Sequence, residues 1–243
     1  MRDLPQLERK RGTALVLSGG ATKAFYFHLG ALRVLGTEDV SSIIGTSAGA
    51  VIGAFIASGI SVETLTSAIH QKQIFLPKFN TWVRTLTSNM LFRPQYQDML
   101  RQALATGWSS LRFALSLPTM LRRDVLAELI DSLLDSQSHV SAFFDEGALE
   151  KLIQSTLPSC DFSDLPIDLY VIATALDAPI RAVFNAGYDF EDAHNRFMTN
   201  VPIHTAVRAS SALPGMFEPV HIGGRYYYLA TTITEDKGDQ VWC

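Results

Sequence analysis

A serine stands at the centre of the segment Gly45-Thr46-Ser47-Ala48-Gly49. A serine hydroxyl is a weak nucleophile until the fold exposes it beside a base. The pattern Gly-x-Ser-x-Gly lets a chain turn sharply from a strand into a helix, so that the hydroxyl stands at the tip of the turn. The amides that begin the helix then favour an anionic intermediate. We predict that Ser47 is a nucleophile on such an elbow; an ordinary helix N-cap is the alternative interpretation.

A second glycine-containing turn, Ser18-Gly19-Gly20-Ala21-Thr22-Lys23-Ala24, precedes the elbow. It does not match the dinucleotide-binding pattern, which needs glycines at positions 21 and 24, and it lacks the Gly-Lys-Ser/Thr of a P-loop. The backbone amides of Gly19, Gly20 and Ala21 could instead hold the oxyanion of a tetrahedral intermediate. A plain glycine turn before a helix is the alternative. Because alanine disfavours positive φ, this loop must use ordinary backbone angles or carry strain.

Strands and helices must position these two turns. The apolar run at residues 13–17 predicts a buried strand, and residues 24–35 repeat apolar side chains at helical spacing. Residues 41–44 predict a second strand and residues 48–58 a second helix. This βαβα succession predicts an α/β fold with a mostly parallel central sheet flanked by helices.

The rest of the chain predicts one domain with an insert. Residues 62–157 are expected to form a mostly helical insert in the middle of the chain, broken by loops at 75–77 and 91–94. Beyond it the pattern predicts a strand over 169–176 with a hairpin partner over 181–185, a helix over 201–212, a strand over 219–222 and a tyrosine-rich segment at 226–228.

Composition and charge exclude several classes of protein. The 243-residue chain is 47% hydrophobic with a net charge of −4. It can therefore bury a core, and its charge argues against a nucleic-acid partner, which would normally call for a basic patch. Cys160 and Cys243 form neither a disulfide framework nor a metal-ligand spacing. The charged N-terminus is not followed by a signal-peptide core, and the longest apolar run, 48–57, is too short to span a membrane. We expect a cytoplasmic protein that is not secreted through a cleavable signal peptide.

Four segments resemble the patatin-like phospholipases in their order and spacing. They are Leu15-Val16-Leu17-Ser18-Gly19-Gly20, His28-Leu29-Gly30-Ala31-Leu32, Ile44-Gly45-Thr46-Ser47-Ala48-Gly49-Ala50 and Ala209-Ser210-Ser211-Ala212-Leu213-Pro214-Gly215-Met216-Phe217-Glu218-Pro219-Val220.

The resemblance implies hydrolysis of acyl esters, typically of phospholipids or other lipids, by a Ser–Asp dyad that needs neither a metal nor another cofactor. Ser47 would attack the ester carbonyl, and the amides of Gly19, Gly20 and Ala21 would hold the oxyanion. The implied partner is a lipid or phospholipid substrate, which is compatible with peripheral contact with a membrane. The histidines would then be surface or packing residues.

The resemblance stops at the position of the base. After Gly224-Arg225-Tyr226-Tyr227-Tyr228 the family would place Asp-Gly, whereas this chain continues with Leu229-Ala230 and contains no Asp-Gly dipeptide. We therefore divide the chain into an N-terminal extension (1–12), a patatin-like domain (13–228) and a divergent tail (229–243). With Leu229 at the family position and its general base unknown, this chain is expected to hydrolyse esters poorly.

Several alternatives remain open at this point. We favour an altered end to a formerly complete domain, because the match fails abruptly. Another acid could replace the missing base, with Asp177, Asp236 and Asp239 as candidates. A Ser-His-Asp esterase using His204 or His221 is the second enzymatic hypothesis. A lipid-binding or regulatory module without catalysis is the hypothesis from another class.

Overall fold

The fold is taken from a computed structural model of the chain. It describes residues 12–70, 147–214 and 217–230, together with six short strands outside those ranges. The described helices are α1 (Ala21–Leu35), α2 (Ala48–Ala57), α3 (Val62–His70), α4 (Gly147–Thr156) and α5 (Ile203–Ser211), with a 3-10 turn at Phe162–Asp164. The strands are β1 (Thr13–Leu17), β2 (Val40–Gly45), β3 (Gln73–Leu76), β4 (Thr81–Arg84), β5 (Arg93–Pro94), β6 (Phe144–Asp145), β7 (Asp168–Ala175), β8 (Arg181–Phe184), β9 (Phe190–Glu191), β10 (Asn195–Met198), β11 (Val220–Ile222), β12 (Arg225–Leu229), β13 (Ile233–Thr234) and β14 (Gln240–Val241).

The central sheet contains strands from both the first and the last described ranges of the chain. Its strands follow the order β1-β2-β7-β8-β10-β9, and β12 pairs with both β7 and β11. The predicted α/β class, with a central sheet flanked by helices, is confirmed. Strands β1, β2 and β7 are parallel, and β8 is the antiparallel hairpin partner of β7, both as predicted. The sheet is more mixed than predicted, because β12 pairs antiparallel with β7 and β11, and β9 pairs antiparallel with β10. Short hairpin connections, such as those after β7 and β11, require antiparallel neighbours.

One edge of β7 holds two different strands. Residues 42–45 of β2 pair with residues 168–171, and residues 227–229 of β12 pair with residues 173–175. The carboxyl ends of β2 and β12 therefore face each other along that edge. Ile172 lies between the two paired stretches.

Helix α2 is buried on every side. All ten of its residues are buried, as expected of a helix that is apolar around its whole circumference. A Cβ atom on Gly53 would lie 3.0 Å from Ile43 Cγ2 and 3.2 Å from Leu169 Cδ1. Because Ile43 and Leu169 are paired neighbours in the sheet, α2 packs on the face that these two residues share. Helix α5 contacts α2 and β7, which completes the core around the elbow.

The middle of the chain differs in part from the predicted helical insert. Helix α3 begins the segment as expected, but residues 73–76 pair with residues 81–84 as an antiparallel hairpin. Residues 75–76 and 93–94, predicted to be loops, are therefore strand residues. Both hairpin strands are rich in β-branched and aromatic residues, which favour strands. The other residues between 85 and 143 lie outside the described part of the chain, so a helical insert there stays a prediction.

None of the helices in the described ranges has the length and apolar character needed to cross a membrane.

Candidate active site

Ser47 occupies a strained backbone position between β2 and α2. Its φ of 54° and ψ of −120° lie outside the regions that L-residues favour. Its side chain makes no capping hydrogen bond to the amides of α2, all of which belong to the described part of the chain. The interpretation of Ser47 as an ordinary N-cap is therefore wrong. The backbone has the sharp strand-to-helix turn that was predicted for a nucleophile elbow.

The glycines on both sides of Ser47 are required by close packing. A Cβ atom on Gly45 would lie 2.7 Å from the Cα atom of Ala50, and one on Gly49 would overlap the carbonyl oxygen of Leu17. Real Cβ atoms do not approach backbone atoms so closely, so no side chain fits at either position without a backbone shift. The Gly-x-Ser-x-Gly spacing thus follows from the contact of the elbow with its own helix and with β1.

Backbone hydrogen bonds join the elbow to β1 and α2. The Thr46 amide donates to the Leu17 carbonyl at 3.1 Å, which ties the elbow to the end of β1. The Gly49 amide donates to the Thr46 carbonyl at 3.0 Å. The residue after Ser47, Ala48, is buried at the first position of α2. The elbow is therefore fixed from both sides.

The glycine loop lies directly beside Ser47. A Cβ atom on Gly19 would be 3.3 Å from Ser47 Cβ and 3.9 Å from Ser47 Oγ. A side chain at position 19 would crowd the hydroxyl and restrict the approach of a substrate. The structure thus brings together two turns whose proximity the sequence predicted.

Ala21 carries backbone strain in this loop. Its φ is +50°, and Gly20 before it has a φ of +137°. A Cβ atom on Gly20 would lie 2.8 Å from Ala24 Cβ, so position 20 needs glycine for space as well as for its backbone angle. Of the two outcomes expected for this loop, strain is therefore the one observed at position 21. Helix α1 begins there, three residues before the predicted start, and Ala24 lies within it.

His28 ties α1 to the same loop. Its ring Nε2 lies 2.9 Å from the Ser18 carbonyl oxygen, and with the proton assigned to Nε2 it donates to that oxygen. The side chain is only 7% exposed. The prediction of a packing histidine is thus correct, and the packing has a specific consequence, since it holds the end of β1 where the loop begins.

Ser210 links the elbow to β7 from inside the core. The Ser47 amide donates to Ser210 Oγ at 2.9 Å, and the Ser210 hydroxyl donates to the Ile172 carbonyl at 2.6 Å. The Ser210 side chain is fully buried. Ser210 is not among the predicted site residues, although it lies in one of the four segments that carry the family resemblance.

Leu229 lies at the end of β12 that faces the elbow. It is directly opposite Ala173, and its amide donates to the Ala212 carbonyl at 2.8 Å. Directly opposite residues project to the same face of a sheet. Leu229 is therefore on the face covered by α2, as Ala173 and Val171 are, and Val171 is the partner of Gly45. A leucine side chain has no group that accepts a proton.

Of the three acids considered as a replacement base, only Asp177 lies among the described residues, and it lies away from this end of β12. Its Oδ2 atom is 3.9 Å from Arg225 Nε, and its side chain is 60% exposed. Arg225 and Leu229 are the two ends of β12, separated by roughly 13 Å along the strand. Asp177 is thus beside the end of β12 that is remote from Leu229. Asp236 and Asp239 lie outside the described residues.

The two histidines proposed as bases have other neighbours. His204 Nε2 lies 4.0 Å from Glu150 Oε1, beside the 3.0 Å ion pair between Arg208 and Glu150. His221 is exposed on β11, and its ring centroid is 4.9 Å from that of Tyr226. These contacts give no support to a Ser-His-Asp arrangement. In the described ranges, no group of three or more His, Cys, Asp or Glu side chains could hold a metal ion.

The chain matches the model of a known protein family. The family model described as patatin-like phospholipase matches residues 15–229, which include the glycine loop, the elbow, Ser210 and Leu229. The chain belongs to the patatin-like phospholipase family. Its matched region ends at the residue that stands where the base is expected.

Curated relatives of this patatin-like domain are fungal. A patatin-like phospholipase domain-containing protein of Neosartorya fischeri and another of Aspergillus fumigatus are each 41% identical to it over 78 residues. A third, from Aspergillus terreus, is 40% identical over 78 residues. The matches to the first two cover 30% of this chain and 11% of the length of each relative.

One solved structure similar to the patatin-like domain is the ExoU–SpcU complex from the type III secretion system of Pseudomonas aeruginosa. The sequence identity is 23% and the TM-score is 0.33. The match covers 84% of this chain and 37% of that chain.

Proposed function

We propose that this patatin-like domain is a serine hydrolase of phospholipids or other lipid esters, with Ser47 as the nucleophile and with low activity because Leu229 replaces the base. The observation that carries the proposal is the approach of Gly19 to Ser47. A strained serine on a sharp elbow has a glycine loop so near that a Cβ atom added at position 19 would lie 3.3 Å from Ser47 Cβ. Residues held in sparsely populated backbone conformations occur frequently at active sites.

The proposed reaction has two stages. Ser47 Oγ attacks the ester carbonyl carbon and its proton passes to a base; the resulting oxyanion is held by amides of the loop Gly19-Gly20-Ala21. The tetrahedral intermediate then collapses, and the leaving alcohol takes the proton. Water hydrolyses the acyl-serine, which releases the fatty acid and restores the hydroxyl. Membrane lipids present such esters at a surface, so peripheral contact with a membrane belongs to this proposal.

Leu229 sets the expected rate. It projects to the sheet face on which α2 begins, at the end of β12 nearest to Gly45. An aspartate at this point would have its carboxylate on the same side as the elbow, whereas leucine leaves proton removal to water. General bases contribute on the order of a hundredfold to ten-thousandfold to such steps. We therefore expect slow acylation of Ser47 and slow turnover.

Labelling with a fluorophosphonate tests the nucleophile separately from turnover. The probe reacts covalently with activated serines, and the modified residue is located by mass spectrometry of peptides. We expect slow, time-dependent modification of Ser47 that is absent in Ser47→Ala. Ser58→Ala is the matched control, because the Ser58 hydroxyl donates to the Ala54 carbonyl at the other end of α2 and its loss should leave labelling unchanged.

The outcomes separate the hypotheses. Modification of Ser47 supports the hydrolase. If Ser47 is not modified at any probe concentration and the protein still binds phospholipid vesicles, the lipid-binding or regulatory module is favoured. Rapid turnover of lipid esters by this chain, abolished in Ser47→Ala, would contradict the proposed impairment and would require a base other than residue 229.

A further inference from the structure

The hydroxyl of Ser210 fills the gap between two strands that meet end to end. On the shared edge of β7, β2 pairs as far as Val171 and β12 pairs from Ala173 onward. The carbonyl of Ile172 lies between them, and it accepts from the Ser210 hydroxyl at 2.6 Å. The same Oγ atom accepts from the Ser47 amide at 2.9 Å. One side chain thus satisfies two backbone groups where the ladder is interrupted.

We propose that Ser210 is the positioning residue of the nucleophile: its buried hydroxyl fixes the Ser47 backbone to β7 and thereby sets the reactivity of the Ser47 hydroxyl. This inference rests on the proposed function of Ser47. Ser210 does not touch the substrate. It acts through the Ser47 amide, from the core side of the elbow.

The strain at Ser47 explains why such a tie is needed. Backbone conformations as rare as that of Ser47 persist only when the surroundings hold them in place. Three contacts among the described residues help to hold this one: the close packing of Gly45 and Gly49, the helical hydrogen bond that the Ser47 carbonyl accepts from the Val51 amide, and the hydrogen bond that the Ser47 amide donates to Ser210 Oγ. The packing resists compression of the turn, whereas the hydrogen bond to Ser210 fixes the direction of the Ser47 N–H, because a hydrogen bond depends on direction.

The tie also determines which amides can hold an oxyanion. Since the Ser47 amide already donates to Ser210, it is not free to donate to a substrate. The donors must come from the loop beside Gly19 or from the next residues of α2. Loss of the Ser210 hydroxyl would free the Ser47 amide without giving it a fixed direction.

The pair Ser210→Ala and Ser211→Ala tests this role with a matched control. Both serines belong to the last turn of α5. The Ser211 hydroxyl is buried and has no hydrogen-bond partner within the described residues, so its removal deletes the same atom without breaking a bond. The first measurement is hydrogen exchange of the Ser47 amide by NMR. The second is the rate of fluorophosphonate labelling at Ser47, separated into probe affinity and maximal rate.

We expect about tenfold faster exchange of the Ser47 amide in Ser210→Ala, the effect of losing one buried hydrogen bond. The maximal labelling rate should fall by about tenfold to a hundredfold with unchanged probe affinity, because a small misplacement of a reacting atom has effects of this size. Ser211→Ala should match the unsubstituted chain in both measurements. Ser210→Cys, which keeps a weaker acceptor of similar shape, should give an intermediate rate.

Two results would overturn the inference alone. One is an unsubstituted chain whose Ser47 is labelled but whose Ser47 amide exchanges as fast as an exposed amide, a test that needs no variant to fold. The other is equal labelling of Ser210→Ala and Ser211→Ala. By contrast, a folded, unsubstituted chain that is never labelled at Ser47 would refute the proposed function, and the inference with it.

Discussion

The backbone of Gly49 lies against the carbonyl of Leu17, so closely that a Cβ atom at position 49 would overlap the Leu17 oxygen. This contact joins the first turn of α2 to the last residue of β1. Because both partners are backbone or Cβ-level atoms, no change of side-chain rotamer can relieve an overlap.

Gly49→Ala should therefore destabilise the fold by about 2–4 kcal/mol, since overpacking against backbone forces a shift of α2. Urea unfolding followed by circular dichroism would measure the change. Gly30→Ala is the control, because a Cβ atom at that helical position meets nothing within 4 Å, and it should stabilise the fold by roughly 0.5–1 kcal/mol. Similar losses in both variants would contradict the packing argument.

Ala21→Gly should remove the strain of the loop. A positive φ costs an alanine about 1–2 kcal/mol. Glycine removes this strain but loses more backbone entropy on folding, which offsets part of the gain. We expect a net gain of about 0.5–1 kcal/mol in the free energy of unfolding. The same substitution at Ala24, which lies within α1 and is not at positive φ, should instead lower it by about 1 kcal/mol. Thermal unfolding of both variants gives the two signs, and the prediction fails if the signs agree.

Leu229→Asp should place a carboxylate at the end of β12 that faces the elbow. We expect ester hydrolysis to rise by about tenfold or more, a cautious lower limit for a general base. The assay is release of p-nitrophenol from a short-chain ester, with Ser47→Ala added to show that the gain depends on the nucleophile. Leu176→Asp is the matched control, since Leu176 is 55% exposed beyond the end of β7. A gain in the control, or none in Leu229→Asp, would contradict the assignment of position 229.

Tyr227 predicts how stability depends on alkaline pH. Burial raises the pKa of Tyr227 above its ordinary value of 10.0. The unfolded chain therefore ionises this phenol first, so its contribution to stability is complete below pH 10 and is lost as the pH rises through the higher folded pKa. Tyr227→Phe should reduce the loss of stability that occurs as the pH rises above about 10.

The same substitution should change stability at pH 7 by less than about 1 kcal/mol, because the buried Tyr227 hydroxyl interacts only weakly with the Arg196 side chain and lacks a well-formed hydrogen bond within the described residues. The ring still packs against Phe184, at a centroid distance of 6.0 Å. Burial also raises the pKa of Tyr170, so the reduction should be partial. Guanidinium unfolding across this pH range measures it; parallel curves for both proteins would rule out the assignment.

The elements that carry the site could be predicted because their signals are local. Strands β1 and β2 are short apolar runs that end in glycine-containing turns, and α2 follows directly from the elbow. The start of α1 was predicted three residues too late. Alanine disfavours positive φ, so the sequence did not indicate that a helix begins at Ala21. The assignment of Leu229 to the family position of the base stays a prediction from the order of motifs.

Other features depend on contacts between distant parts of the chain. The hydrogen bond between Ser47 and Ser210 joins residues 163 positions apart in the sequence. No local pattern around Ser210 predicts that it bonds to Ser47. The shared edge of β7 is likewise a property of pairing, not of composition. The hairpin of β3 and β4 was missed for another reason: the proline at position 77 indicated a loop, although the residues on both sides favour strands.

The end-to-end arrangement of β2 and β12 also bears on the moment at which activity can arise during synthesis. A ribosome-bound chain exposes the elbow early, but the strand that flanks it at Ile172 is translated only after residue 224. Until then the end of β2 has no strand opposite it along this edge of β7. The surroundings of the elbow would thus be completed late in synthesis, because they depend on pairing between distant parts of the chain.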